Sequence, residues 1–473
     1  MVDDDRCIGC GACIKACAGS GFNYHDSGPK VRKLLKSAKK TAALVDPSIS
    51  GEFPDIADYR KFVEMIRQLG FEIVMDVSFG VDLVARKYRE LFSKSQGKYY
   101  ISANCPAIVE QIRKFHPDLT DNLAPIIAPA DAMAKVARDI HGQDIQTVFI
   151  GPCIAAKLHS RDFDSDALID SVLTFKELRG LFGEQNIHES QLEFSEFDPP
   201  FGRKGALYPI SKGILEAGEI DQASIDGQAI TLEGKQESLK GIESFEANIA
   251  SVQNHFNVFY NKGCVMGPGM TTGDDQQKRN AHVIDYARKR LAKLDEKNWE
   301  AEMQKFADID LSRAFTKDER RVKKPSGARV KEILTLIGKS GEPTNTCGNC
   351  GFDSCKSFAE AVAQGFTRTD MCLDFNLRNK NKYISSLRAS NNRLDTEIDN
   401  LKKDLAEHIS EFELVNDKLE TSRAIMNQIP SGVVIVDNKL KTTSSNRSFI
   451  DLLGEEAREI DDIIPGLRGA DLK

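Results

Sequence analysis

Between about Lys40 and Ile337, short apolar runs alternate with segments in which apolar residues recur at helical spacing. Thr41–Asp46 (TAALVD), Phe71–Val77 (FEIVMDV), Tyr99–Ile101 and Thr147–Ile150 (TVFI) read as short buried strands. Asp58–Gln68, Ala107–Phe115 and Pro129–Ile140 lie between them and read as amphipathic helices. Such alternation predicts an α/β domain with a largely parallel sheet. Sites usually form in the connections that follow the strands of such a sheet. Cys105 and Cys153 both stand there, beside Pro106 and Pro152.

A Pro- and Lys-bearing bridge, Arg320 to Gly327, leads to a small predicted helix, Ala328–Ile337, and then the pattern changes. Ile384, Leu387, Asn391, Leu394, Ile398, Leu401, Leu405, His408, Phe412, Val415 and Leu419 step by alternating threes and fours. A heptad seam sustained this far predicts a coiled coil, most simply a parallel homodimer. Asn391 and His408 would be polar core positions that set register and strand number. The plainer alternative is a long helix lying on the domain's own surface. Beyond Met426, Ile429–Asp437 and Asn446–Gly454 read as strand, turn, strand and short helix. This resembles the opening of a PAS sensor domain, an α+β fold. The stretch is too short to close a stable sheet alone, so the sequence is expected to stop inside that domain.

With 473 residues the chain should hold more than one domain. A hydrophobic content of 41% and a charged content of 29% are ordinary for a soluble globular protein. The net charge of −7 argues against coating nucleic acid or an anionic membrane; the basic stretch Lys30–Lys40 reads as a solvated face. No apolar run is long enough to cross a bilayer, so no membrane association is expected. The acidic start, Met-Val-Asp-Asp-Asp, lacks the features of a signal peptide. The expected location is therefore cytoplasmic, where cysteines are free thiols or metal ligands. Eleven cysteines cannot all pair within one chain.

Eight of the eleven fall into two sets. Cys7-x2-Cys10-x2-Cys13-x3-Cys17 has the spacing of bacterial ferredoxins, with Gly9 and Gly11 letting the backbone wrap close to the sulfurs. In those proteins the fourth cysteine often serves a second cluster, so Cys17 either completes this one or once served another. Ala18 stands where a proline usually follows. Cys347-x2-Cys350-x4-Cys355-x16-Cys372 is the second set, with Gly348, Gly351 and a following helix at Ser357–Gly365. A four-thiolate zinc site is the rival for both, but zinc usually takes two separated CxxC pairs or a finger spacing that neither set has. The segments Asn345–Cys355, Phe358–Val362 and Met371–Leu373 resemble the small 4Fe–4S domain of redox-complex and corrinoid-linked proteins. Cys105, Cys153 and Cys264 remain, in the motifs Ser102–Ala107, Gly151–Lys157 and Lys262–Gly269. Each alone would more often be a small buried hydrophobe; together, in loops of one α/β domain, they could converge on one cluster.

On these motifs, with Asp76–Asp82 and Met266–Thr272, the region from about Lys40 to Ala292 resembles the catalytic domain of FeFe-hydrogenases, most of all their sensory branch. The resemblance implies a ferredoxin-type 4Fe–4S segment (1–25), a hydrogenase-like α/β domain (40–300), a small helical 4Fe–4S domain (328–376), a coiled coil (378–424) and the start of a PAS domain (425–473). It implies that Cys105, Cys153 and Cys264 ligate the cube of an H-cluster, with Cys264 bridging to a diiron unit that carries CO, cyanide and a dithiolate. Two further 4Fe–4S clusters would occupy the outer sets. Lys157 would be the basic residue near a cyanide, although Ala156 holds the expected position; otherwise it is a solvated surface lysine.

Two departures from the family pattern bear on activity. Asn104 replaces the cysteine that relays protons, and an amide has no proton to exchange near neutral pH. Loss of such a group commonly costs about 10²–10⁴-fold in rate. The fourth cube ligand should precede Cys264, where Tyr260 stands, or Asn261 if the loop is shifted by one; their oxygens replace thiolate poorly. The leading expectation is a redox or hydrogen sensor signalling through the coiled coil to the PAS module. The alternatives are a slow hydrogenase working with a ferredoxin-like partner, and a non-enzymatic electron-transfer protein that has lost the diiron unit.

Overall fold

The computed structural model describes residues 3–17, 21–54, 56, 58–94, 97–161, 167–222, 227–271, 275–339, 347–439 and 441–453. Ala18, Gly19, Ser20, Thr272, Asn345, Thr346 and residues 454–473, which the sequence reading used, lie outside them. The chain divides into two units, 1–321 and 322–473.

In the first unit, β1 (Thr41–Val45), β2 (Ile73–Asp76), β3 (Gln146–Gly151) and β4 (Ser171–Thr174) form one parallel sheet in the order β2-β1-β3-β4. Ala42 pairs with Ile73 on one side and Thr147 on the other. Successive side chains of a strand face opposite ways, and a parallel sheet is covered on both faces. Ala42, Leu44, Met75 and Phe149 accordingly enter one core, while Ala43, Val45, Val74 and Val148 enter another. Helices Ser78–Lys94 and Pro129–His141 fill the first core; Tyr59–Gln68 and Phe175–Glu184 fill the second. Pro129 opens its helix at a position where the missing N–H costs nothing. Thr174 and Glu177 cap Phe175–Glu184 reciprocally.

The apolar run at Tyr99–Ile101 does not form a strand. Ile101 makes single bridges to Leu123 and Phe256, after which the chain turns through Asn104 into the helix Pro106–Phe115. The bridge joins it to a second parallel pair, β5 (Ala229–Glu233) and β6 (His255–Phe259), with the helix Lys235–Ala247 between them in sequence. A third core gathers there from Ile101, Ile108, Ile112, Phe245 and Val258, and it includes Ile8 from the N-terminal segment. The N-terminal segment therefore packs into this unit. So do residues 301–321: Leu311 accepts the Ile127 N–H, and the Asp318 and Arg320 N–H groups bond to the Arg113 and Lys114 carbonyls.

The second unit opens with the helix Gly327–Leu336, capped by Ser326, and it packs on Cys355–Ala363 through Val330, Ile333 and Ala359. Ile337, Phe358 and Cys372 make a second small core. One helix, Leu373–Gln428, then runs for 56 residues and buries none of them. The antiparallel pair β7 (Val434–Val436) and β8 (Thr442–Ser445) and the helix Arg447–Leu453 follow, in the order expected from the sequence. Among the described residues no helix is long and apolar enough to cross a membrane.

Candidate metal centre

The carboxyl ends of the strands converge on one cavity, as expected of a parallel sheet. Asp46 follows β1, Val77 follows β2, Pro152 and Cys153 follow β3, and Asn261, Gly263 and Cys264 follow β6; all line it. Cys105 joins them from the turn before Pro106, and Asn104 beside it lines the same wall. Three cysteines far apart in sequence thus share one cavity. The third loop reaches the second because Gly267 has no Cβ; one there would lie 2.5 Å from the Pro152 carbonyl oxygen.

Burial dominates the chemistry of this wall. It pushes the Cys153 thiol up to about 12 and raises those of Cys105 and Cys264, with the neighbouring thiols adding to the effect on Cys153 and Cys264. Coordination to a metal would reverse this, since a bound thiol is deprotonated outright. Burial also raises the Asp46 carboxyl to about 6, against hydrogen bonds from Ser48. Burial raises Asp131 too, opposed mainly by Arg313, whose Nη1 is 3.5 Å away. His159 also lines the cavity, its Nε2 3.3 Å from Glu110 Oε1. Burial alone would raise Glu110, but the His159 hydrogen bond and the charges of His159, Arg113 and Lys114 bring it down to about 2. Asn104 is 1% exposed, and among the described residues neither its Oδ1 nor its Nδ2 has a hydrogen-bond partner. An orphaned amide at a buried wall costs roughly 1–3 kcal/mol unless something in the cavity meets it. The Tyr208 hydroxyl donates to the Asn104 carbonyl, 2.9 Å away, and holds that turn.

Lys157 does not face the cavity. It is 3% exposed, and its Nζ bonds to Ser27 Oγ at 2.6 Å, the Val172 carbonyl at 2.9 Å and Glu177 Oε1 at 3.0 Å. It is neither a surface lysine nor directed at the cysteines; it ties the second loop to the capped start of Phe175–Glu184. Ala156, one residue earlier, lines the cavity. Tyr260 lies not on the cavity wall but buried in the third core, against which Cys10 also packs. Asn261 lines the cavity, and its Oδ1 accepts from Lys15 Nζ at 3.0 Å.

The N-terminal cysteine set lies against these loops. A Cβ at Gly9 would stand 2.6 Å from Ala155 Cα, and one at Gly11 2.4 Å from Pro268 Cβ. These glycines thus serve close approach to the second and third loops, not only to their own sulfurs. Lys15 Nζ donates to the Met266 carbonyl at 2.8 Å, and Lys114 Nζ to that of Cys7 at 2.7 Å. Lys15, Tyr208, Asp46 and His159 escaped the sequence reading. Only Lys15 carried a signal, its place inside the cysteine motif. In the second unit Cys347, Cys350, Cys355 and Cys372 line one small cavity with Phe352 and Phe358. Burial raises the Cys355 thiol, opposed by Lys339 and aided by the other three cysteines. Among the described residues no three His, Cys, Asp or Glu side chains stand close enough to hold a single ion. A four-iron cube takes thiolates at separate corners, so its ligands stand farther apart than those of one ion.

Comparison with known proteins places these observations in a family. Residues 344–373 match the FeS family of Fe–S cluster motifs. The chain is 28% identical over 219 residues to iron hydrogenase 1 of Clostridium pasteurianum, covering 42% of this chain and 38% of that protein. It is 25% identical over 246 residues to the NADP-reducing hydrogenase subunit HndD of Solidesulfovibrio fructosivorans, covering 45% and 42%. The chain thus spans about two-fifths of the length of these curated relatives. A variant of the [FeFe]-hydrogenase HydA1 from Chlamydomonas reinhardtii superposes with a TM-score of 0.49 at 18% identity, over 62% of this chain and 97% of that one. Residues 39–286, more than half of the sequence, match the iron-only hydrogenase large subunit, C-terminal domain, and the chain belongs to that family.

Proposed function

We propose that this protein is an iron–sulfur sensor of hydrogen or redox state, in which the first unit perceives the signal and the long helix carries it towards the PAS-like segment. Asn104 carries this reading. It stands on the cavity wall with both amide atoms unpartnered among the described residues, where the family resemblance implies a proton-relaying thiol. An amide exchanges no proton near neutral pH, and fast turnover needs a group that does. Slow chemistry suits perception.

The residues fit a thiolate-held cluster at three corners. Cys105, Cys153 and Cys264 would hold a 4Fe–4S cube, with Cys264 bridging to a diiron unit; the N-terminal and late sets would hold one cube each. Such groups supply one-electron exchange at potentials set by burial and by hydrogen bonds to sulfur. The protein's own part is to bury the site, present Asn104 through Tyr208 and keep Lys157 engaged elsewhere. Cys372 is both the last thiol of the late set and the residue that precedes the long helix. A change of state there bears directly on the helix start. The seam residues Leu394, Ile398, Leu401 and Leu405 are exposed in the single chain, which supports a homodimeric coiled coil. A cytoplasmic location and a ferredoxin-like electron partner complete the proposal.

The test is anaerobic purification after maturation, with infrared spectroscopy and iron analysis. Carbonyl and cyanide bands and about fourteen irons are expected, counting four per cube and two for the diiron unit. Hydrogen uptake with a dye should be slow, and Asn104→Cys should raise it. A rate typical of the active enzymes, or no gain in the variant, would sink the sensor reading in this form. The second reading, electron transfer without a diiron unit, is favoured by Tyr260, which is buried in the third core and stands where the family pattern asks for the trio's fourth thiolate. Iron without the infrared bands would select it.

A further inference from the structure

His159 closes the short helical turn Ala155–His159 of the second cysteine loop, is only partly buried, and lines the cavity that Cys105, Cys153 and Cys264 share. Its Nε2 stands 3.3 Å from Oε1 of Glu110, a residue of the helix that starts just after Cys105. Glu110 is 5% exposed and is held by two more cations, Arg113 Nη1 at 2.7 Å and Lys114 Nζ at 3.4 Å. Arg113 is fixed in turn by the Thr316 carbonyl, 2.8 Å from its Nε. A carboxylate so surrounded is an anion and only accepts, so Nε2 carries the hydrogen of its bond with His159. The neutral ring therefore keeps its lone pair on Nδ1, which has no hydrogen-bond partner among the described residues. The other charges around this loop are paired: Lys157 with Glu177, Asp170 with Arg138 and Arg161, and Asp131 with Arg313. Asp46 and Asp131 line the same cavity, but at 2% and 5% exposed they lie deeper than His159.

From this geometry we infer that His159 is the proton-exchanging residue of the central site, taking one proton from water at Nδ1 as the central cluster takes one electron, with Glu110 as its positioning residue. This deepens the sensor reading and rests on it, because the trio must hold iron. The Asn104 amide exchanges no proton on this wall, whereas an imidazole does so near neutral pH. A low-potential one-electron donor, the ferredoxin-like partner of that reading, supplies the electron, which stays on the iron. The proton converts the ring to imidazolium, and its Nε2–H goes on donating to Glu110. Negative charge added to the cluster and positive charge added to the ring then attract across one cavity. A reduced cluster holds the proton more tightly, so its potential falls as pH rises. The sensor would thus read reduction and acidity together.

The experiment is an anaerobic redox titration of the full chain, followed by electron paramagnetic resonance between about pH 5 and 8, in wild type, His159→Gln and Glu110→Gln. The central signal is identified as the one lost in Cys153→Ala. In wild type its midpoint should fall with rising pH, approaching about 59 mV per unit, a tenfold change in proton activity converted for one electron. In His159→Gln the slope should vanish with central iron retained. In Glu110→Gln it should move to lower pH, because the anion that favours imidazolium is gone. A flat wild-type midpoint, or a slope that persists in His159→Gln, would overturn the assignment. The tautomer is read separately by nitrogen NMR of the full chain labelled at its eight histidines. His159 is the resonance missing from His159→Gln, whether or not that variant keeps its central iron. An Nε2–H ring at high pH that becomes imidazolium as pH falls is expected; an Nδ1–H ring, or one that never titrates, would overturn the proposal. If no signal disappears in Cys153→Ala, the reading of a central cluster has failed and the redox link falls with it, a result distinct from a failure of the tautomer.

Discussion

Cys347, Cys350, Cys355 and Cys372 lie in one short stretch and line a cavity closed by a few side chains of their own segment. Cys105, Cys153 and Cys264 are separated by whole strands and helices and meet only because three loops leave the same side of a fold. The late set needs little beyond two helices and two glycine turns at Gly348 and Gly351, both with positive φ. The central trio needs a four-stranded sheet, a second strand pair and two buried cores. Spacing along the chain controls reach for the first, whereas tertiary packing controls it for the second. A local set can therefore be lost without harming the rest, and a convergent one cannot be separated from its domain.

The largest effect should come from removing a ligand of each kind. Cys153→Ala is expected to remove the central cluster and any response to hydrogen, leaving the late cluster's spectrum intact. Cys350→Ala should remove about four irons and leave the central signal unchanged. Iron analysis with resonance spectra of the two variants checks this; loss of both signals in Cys350→Ala would break the comparison.

Next in size is the assembly carried by the second unit. Leu394 and Leu401 are 53% and 61% exposed in the single chain, so their apolar surface is free for a partner. Burying such a side chain is worth about 1.5–3 kcal/mol. Leu394→Asp with Leu401→Asp should therefore weaken self-association at least 100-fold, read by sedimentation, while the iron content stays unchanged. A double variant that remains dimeric would remove the coiled coil from the argument.

A smaller effect separates the two units by pH. Asp82 is buried in the first unit and accepts from the Gly205 N–H at 2.7 Å and Trp299 Nε1 at 3.0 Å; burial nevertheless raises its carboxyl from 3.8 to about 6. The folded state then holds the proton more tightly than the unfolded chain. Its contribution is complete below about pH 4 and is lost as pH rises to about 6, by at most about 3 kcal/mol. Among the described residues the second unit buries no carboxylate. Urea unfolding at pH 4 and 6.5 should show this slope for the first unit and a shallower one in Asp82→Asn; an equal slope would discard it.

The strands β1, β2 and β3 were legible as short apolar runs, because both faces of a parallel sheet are buried and most of their positions are apolar. β5 was not, since its outward residues are only partly buried and Ala-Ile-Thr-Leu-Glu carries no such run. Lys157 was misread in both its readings, because a lysine's direction depends on an acceptor that sequence does not locate. Here the acceptor is Glu177, the capping residue of a helix twenty positions on.

By itself the sequence determined that two local sets of four thiols can each reach around a cluster, and that a long heptad seam follows them. Both facts follow from distances along a chain of known rise and turn. Only the tertiary structure decided that Cys105, Cys153 and Cys264 share a wall, that the Asn104 amide on it has no partner among the described residues, and that Tyr260 is buried in the third core. Each of those depends on which loops pack together across the sheet, and on side-chain directions set by neighbours remote in the sequence.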